Sequence, residues 1–182
     1  MGGVFGFVRD MLSAGKERKL EEEAEGKALT DPVFGELVFH NRRWEGKCAL
    51  GSQGEVRLRV VTRMAASPSE KQRQAFQGFL ADVEARLRAA VEATFRYYED
   101  GLRADDHYPG LPAFGDGAAF CSILKDTRLF VGPERDGAWT NLEWGHDYPG
   151  KPKLRGFRYS VDFQPDGTAK ALLIVEQMWD PD

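Results

Sequence analysis

The stretch from Ser67 to Asp100 constrains the fold more than any other part of this sequence. Ser67-Pro68-Ser69-Glu70 predicts a helix start, with Ser67 as the cap, Pro68 in the first helical position and Glu70 completing a capping box. Phe76, Phe79, Leu80, Val83, Leu87, Val91, Phe95 and Tyr98 then recur at helical spacing. Asp82 with Arg86, Glu84 with Arg88 and Glu92 with Arg96 place opposite charges one turn apart. Gly101 is the expected stop. A helix over this whole stretch would run about 50 Å, at about 1.5 Å per residue. That exceeds what a small sheet needs, so the helix either overhangs the sheet or breaks, and Gly78 is the internal residue that invites a break.

On both sides of the helix the periodicity changes from helical to alternating. Val56, Leu58 and Val60 alternate with Glu55, Arg57 and Arg59, the pattern of a strand with one wet face. Together with residues 33–39 and 44–50, and a Gly51-Ser52-Gln53-Gly54 turn, this predicts a three-stranded meander. After the helix, residues 102–117 are too rich in Gly and Pro for regular structure, and long loops of this kind often carry function. Residues 118–124 fit helix or strand. Residues 128–131, 139–144, 157–163 and 169–177 predict a second antiparallel meander, with Gln164-Pro165-Asp166-Gly167 as a strong turn. The fold class is therefore α+β: antiparallel β-meanders packed on one long helix, with an N-terminal helical extension. The pattern leaves open whether the two meanders share one sheet.

The extension is residues 1–26, and residues 27–182 form a single α+β domain on this reading. Val4, Val8, Met11 and Leu12 make one apolar helical stripe, and the charged run from Lys16 to Glu25 continues it toward a stop at Gly26. The stripe docks on its own core, or on a partner or membrane surface; it lacks the flanking lysines that anionic lipid favours. It is too short to span a bilayer, no signal-peptide cleavage site follows it, and Gly6 stands where a myristoylation motif needs Ser or Thr. Over all 182 residues, 42% hydrophobic and 30% charged content supplies a core and excludes wholesale disorder. A net charge of -4 does not suggest a generic nucleic-acid binder.

Signals for chemistry are sparse. Cys48 and Cys121 show no C-x-x-C spacing, so neither a disulfide framework nor a thiolate metal site is expected, and a reducing cytoplasm is the simplest home. No G-x-S-x-G, phosphate-binding Gly-rich loop or H-E-x-x-H motif is present, and no cofactor is expected. His40, His107 and His146 are the histidines; Asp105-Asp106-His107 and His146-Asp147 bring carboxylate and imidazole together in sequence. These support, as an alternative, a small metal-dependent or hydrolase-like enzyme using His107 or His146 with neighbouring aspartates. A Cys121 nucleophile activated by either histidine competes with a buried, inert thiol in the apolar run 118–124.

Aromatic residues near turns are the more unusual feature: Tyr108, Phe114, Trp139, Trp144, Tyr148 and Trp179. Trp139 and Trp144 are five apart, so on an uninterrupted strand they face opposite sides, and one lies outside the core unless both faces are covered. The candidate binding residues are Tyr108, Trp144, His146, Asp147 and Tyr148. Tyr108, Trp144 and Tyr148 would supply apolar anchoring area, and Asp105, Asp106, Glu143 and Asp147 would supply charge to steer a basic partner.

Asp31-Pro32-Val33-Phe34-Gly35-Glu36-Leu37, followed by Trp44-Glu45-Gly46 and a capped helix, resembles small uncharacterised bacterial domains. Those domains begin with a D-x-x-F-G-x-L segment and a W-x-G strand, pass through one long helix and finish in a sheet. Their late W-D-x-E-H-G-like segment has its nearest counterparts here in Trp144-Gly145-His146-Asp147 and Trp179-Asp180. The resemblance covers about residues 31–177 and implies an α+β fold without established catalytic residues. For some relatives it implies an immunity-like role in toxin systems. The expected function is a non-catalytic, cytoplasmic, protein-binding domain, an immunity-like inhibitor of a toxin on its sharpest form, with another protein as partner and oligomeric state open.

Overall fold

The structure, a computed structural model of the chain, describes residues 17–105, 110–135, 138–146, 157–163 and 168–174. Four strands, β1 (Ala28–Asp31), β2 (Gly35–His40), β3 (Arg43–Ala49) and β4 (Glu55–Val60), form an antiparallel meander. Four more, β5 (Lys125–Arg135), β6 (Ala138–His146), β7 (Phe157–Phe163) and β8 (Ala169–Ile174), form a second. β4 and β5 pair in parallel, Leu58 opposite Leu129 and Val60 opposite Val131, so both meanders belong to one eight-stranded sheet in sequence order. Parallel neighbours cannot be joined by a tight turn. The chain between them crosses one face of the sheet as α2 (Glu70–Ala81), α3 (Val83–Tyr97) and the short α4 (Gly117–Cys121).

The α+β class and the meanders are as expected, but the sheet is larger and the helix differs in three ways. First, the helix starts two residues later. Ser69 is the cap, its hydroxyl accepting from the Gln72 amide while the Gln72 side chain accepts from the Ser69 amide. Pro68 is buried ahead of it. Second, the helix breaks at Asp82 (φ -121, ψ 30), while Gly78 stays helical. α2 lies over β5 and β6 and α3 over β7 and β8. A sheet twists from strand to strand, so two shorter segments follow it where one straight rod would lift off. Third, Gly101 does not stop the helix: Tyr98–Leu102 form a π turn, closed by the Arg103 amide on the Tyr98 carbonyl at 2.9 Å, which buries both Tyr98 and Leu102.

Alternation decides which side chains meet the helices. In β4 the buried residues are Val56, Leu58 and Val60; in β7 they are Phe157, Tyr159, Val161 and Phe163. With Leu129, Val131, Leu142 and Trp144 they form the sheet side of the core, against Phe76 and Phe79 of α2 and Leu87, Ala90 and Thr94 of α3. Residues 118–124, ambiguous in sequence, begin in α4, capped by the Asp116 carboxylate on the Ala119 amide at 2.8 Å. At the other end, residues 17–24 are helical as α1. Ala24 reaches the core and Gly26 turns the chain with φ 78. Met1 to Lys16, with the apolar stripe, lie outside the described residues.

The segment from Asp31 to Leu37 is a folding device. Asp31 is buried at the end of β1, and its Oδ1 accepts from the amides of Val33 (2.9 Å) and Phe34 (3.1 Å), closing the turn into β2. Arg73 of α2 donates to the same carboxylate, Nη2 to Oδ2 at 2.9 Å, so the first hairpin is bolted to the helical layer. Phe34 packs on Phe76 with ring centroids 4.9 Å apart, and Gly35 holds φ 75. Trp44 Nε1 donates to the Ala66 carbonyl at 2.8 Å. A Cβ on Gly46 would come within 2.7 Å of the Glu36 carbonyl oxygen, which explains a glycine after the tryptophan.

Burial by itself would raise the Asp31 pKa, but hydrogen bonds from Arg73, Val33 and Phe34 outweigh it and hold the carboxyl below its ordinary 3.8. A depressed folded value means the stabilisation is complete above the ordinary pKa and is lost as pH falls through the folded one. We expect Asp31→Asn to lower the unfolding free energy at pH 7 by about 2 kcal/mol. Its further loss on acidification below about pH 4 should be shallower than that of the wild type. Urea denaturation at both pH values checks this; parallel losses in the two proteins would contradict it.

Candidate functional site

Two of the residues expected on an aromatic and acidic surface, Trp144 and His146, lie in the core instead. Trp144 is fully buried, and its indole Nε1 donates to Thr94 Oγ1 at 3.1 Å, which in turn donates to the Ala90 carbonyl at 2.7 Å. It is a core residue, because the alternation of β6 turns Thr140, Leu142, Trp144 and His146 toward the helices. His146 is buried too, its Nε2 2.9 Å from Tyr159 Oη, stacked on Tyr159 and enclosed by Tyr98, Phe120 and Phe157. Burial first, then the neighbouring Tyr98 and Tyr97, pushes the Tyr159 phenol far above its ordinary range, so it keeps its proton. Tyr98, pushed up to about 12 mainly by burial, donates to the Pro112 carbonyl at 2.7 Å. Tyr108, Asp106, His107, Asp147 and Tyr148 lie outside the described residues, as do Met178 to Asp182; Asp105 is exposed.

Cys121 is half-buried, and burial raises its pKa, the opposite of what activates a thiol nucleophile. Cys48 is pushed up to about 11 by the same cause. Among the described residues, no group of three or more His, Cys, Asp or Glu side chains is placed to hold a metal ion. No helix among them is long and apolar enough to cross a membrane.

Charged side chains gather on the face of the sheet turned away from the helices. Register places side chains of adjacent strands side by side: Val38, Glu45, Arg59, Phe130, Asn141 and Asp162 form one row across the sheet. The next row holds Lys47, Arg57, Arg128, Glu143, Ser160 and Leu172. Each of these twelve is exposed or half-buried, so no described element seals this face. Arg43 and Arg158 extend it at opposite sides.

The guanidinium groups outnumber the carboxylates that meet them. Glu45 serves both Arg43, at 2.7 Å, and Arg59, at 3.2 Å. Asp126 serves Arg128 and Arg158, the latter at 2.6 Å, and Glu143 Oε2 lies 3.9 Å from Arg158 Nη1. Asp126 reaches its partners because a register shift between β5 and β6 leaves it at φ 55, a left-handed conformation that Asp tolerates. Burial opposes ionisation of both Glu45 and Asp126, yet the arginine hydrogen bonds dominate and hold both carboxyls below their ordinary values. Arg59 is the mirror image. Burial and the like charges of Arg43 and Arg128 weaken its hold on its proton, with Glu45 and Glu143 offsetting them in part. Its Cζ lies 5.2 Å from the Phe130 ring centre. Arg59 meets Glu45 through its Nε, whereas the Nε of Arg128 is buried without a hydrogen-bond partner among the described residues.

Sequence reading singled out Arg57 and Arg59 only as the wet side of a strand. Arg128 and Arg158 occupy the same alternating positions of later strands, but the β4–β5 register is what brings them together. Comparison with protein-family models, curated proteins and solved structures found no match.

Because Trp144 fills the core, Trp144→Ala should lower the unfolding free energy by about 3 to 5 kcal/mol. A loss under about 1 kcal/mol in urea denaturation would contradict its burial.

Proposed function

We propose that this chain is a non-catalytic protein-binding domain that acts in the reducing cytoplasm by covering a partner's surface, as an immunity-like inhibitor does. The observation that carries this reading is the open face of the sheet: a broad surface with clustered arginines and the exposed apolar residues Val38 and Leu172, 46% and 43% accessible, near its two edges. Arginine and apolar residues framed by polar ones are the composition that binding surfaces favour. The steering charge of this face is carried by arginines, and Glu143, one of the acids expected to steer a partner, lies among them. The enzyme alternative rests on His107, outside the described residues, and on His146, whose ring sits inside an aromatic nest.

The test is affinity capture of the tagged, full-length protein from a lysate of its source, for the wild type, Val38→Glu with Leu172→Glu, and Lys71→Glu on the outer side of α2. A protein partner held stoichiometrically by the wild type and by Lys71→Glu, and lost from the double variant despite an unchanged circular dichroism spectrum, is the expected outcome. Retention by the double variant would remove the open face from the interface.

A further inference from the structure

The arginine band specifies the chemistry of the partner. We infer that the centre of the open face takes a carboxylate-rich segment of a partner protein, an inference that rests on the reading of that face as the binding surface. Four observations converge on it. Arg59, Arg128 and Arg158 are 12%, 15% and 13% accessible as side chains, so their stems are packed down and their guanidinium groups are held by the sheet. Such fixing lowers the ordering cost of forming a new ion pair. Among the described residues at the centre of this face, the five arginines Arg43, Arg57, Arg59, Arg128 and Arg158 stand against the four carboxylates Glu45, Asp126, Glu143 and Asp162, which leaves positive charge in excess. Each guanidinium carries five N–H donors in a fixed fork that matches a carboxylate. The buried Nε of Arg128 lacks a hydrogen-bond partner among the described residues, a condition that an incoming oxyanion beside it relieves electrostatically. Finally, the like charges of Arg43 and Arg128 add to burial in weakening Arg59's hold on its proton, and an added anion offsets that repulsion.

A nucleic-acid strand fits this surface less well. Its phosphates repeat without interruption, whereas Glu45, Asp126 and Glu143 interleave with the arginines and would repel a continuous anionic backbone. Phe130 is half-buried beneath the Arg59 guanidinium and so is not presented as a stacking platform for bases. A peptide can place carboxylates opposite the arginines and neutral or basic residues opposite the acids.

The test uses the full-length protein and a fluorescein-labelled oligoglutamate peptide of about ten residues, followed by anisotropy at low salt. A single-stranded oligonucleotide of about 20 nucleotides is run in parallel, so that both probes exploit the same salt-sensitive attraction. Arg57→Glu with Arg128→Glu should weaken oligoglutamate binding about tenfold or more, and Arg88→Glu, exposed on α3 across the sheet, should leave it within about twofold. Exposed Arg57→Glu tested by itself, with the fold verified by circular dichroism, keeps the result independent of any instability in the double variant. No binding of oligoglutamate, equal losses in the Arg88→Glu control, or tighter arginine-dependent binding of the oligonucleotide would each overturn the inference. If a captured partner still depends on Val38 and Leu172 while oligoglutamate fails, the binding face stands and only the partner's chemistry is wrong.

Discussion

The parallel pairing of β4 with β5 is the constraint on which the rest of the molecule depends. Two antiparallel meanders could each have closed on themselves or formed separate layers, with their own edges to protect. Hydrogen bonding along residues 57–60 and 128–131 instead merges them into one sheet, leaving β1 and β8 as the edge strands. The pairing also dictates where the helices go. The chain leaving β4 must travel back along the sheet before entering β5 in the same direction, and α2, α3 and α4 are that return path. Their apolar sides then meet the apolar positions of the strands, from Phe76 and Phe79 to Leu142 and Trp144.

A sheet covered on one side has two unlike faces, and the division of labour in this protein follows from that. Residues of one parity make the core, including the tryptophan and histidine that a sequence reader would assign to a surface. Residues of the other parity face outward together, and the seam sets Arg57 beside Arg128 and Arg59 beside Phe130. Like charges on neighbouring strands are destabilising unless something stands between them. Within the chain Glu45, Asp126 and Glu143 do part of this, with Asp126 in a left-handed conformation to reach its two arginines.

Much of this architecture was legible because it is local. Alternation in residues 55–60 and 157–163, glycine turns and the helical spacing from Phe76 to Tyr98 each depend on a few neighbours in sequence. The two-residue shift of the helix cap was not, since Ser67 and Ser69 both suit a cap and tertiary packing of Pro68 chose between them. The break at Asp82 was not, because it answers to the twist of a sheet whose size only strand pairing reveals. β1 was overlooked since Ala28 to Asp31 is short and becomes a strand by pairing with β2. Asp31, Phe34, Gly35, Trp44 and Gly46 stand out in the sequence, and the work the structure gives them is a turn, a bolt to α2 and a close strand approach. The arginine band left only the wet positions of separate strands as a trace, with no motif to join them.

Residue-resolved amide hydrogen exchange of the native protein tests the central claim most directly. If β4 and β5 are paired, the amides of residues 57–61 and 128–131 that point across the seam, including that of Val61, which donates to the Val131 carbonyl at 2.9 Å, should be protected to the level of the central strands. Exchange of those amides as fast as that of the outward-pointing amides of edge strands β1 and β8 would mean two separate meanders, and the shared open face would fall with the seam.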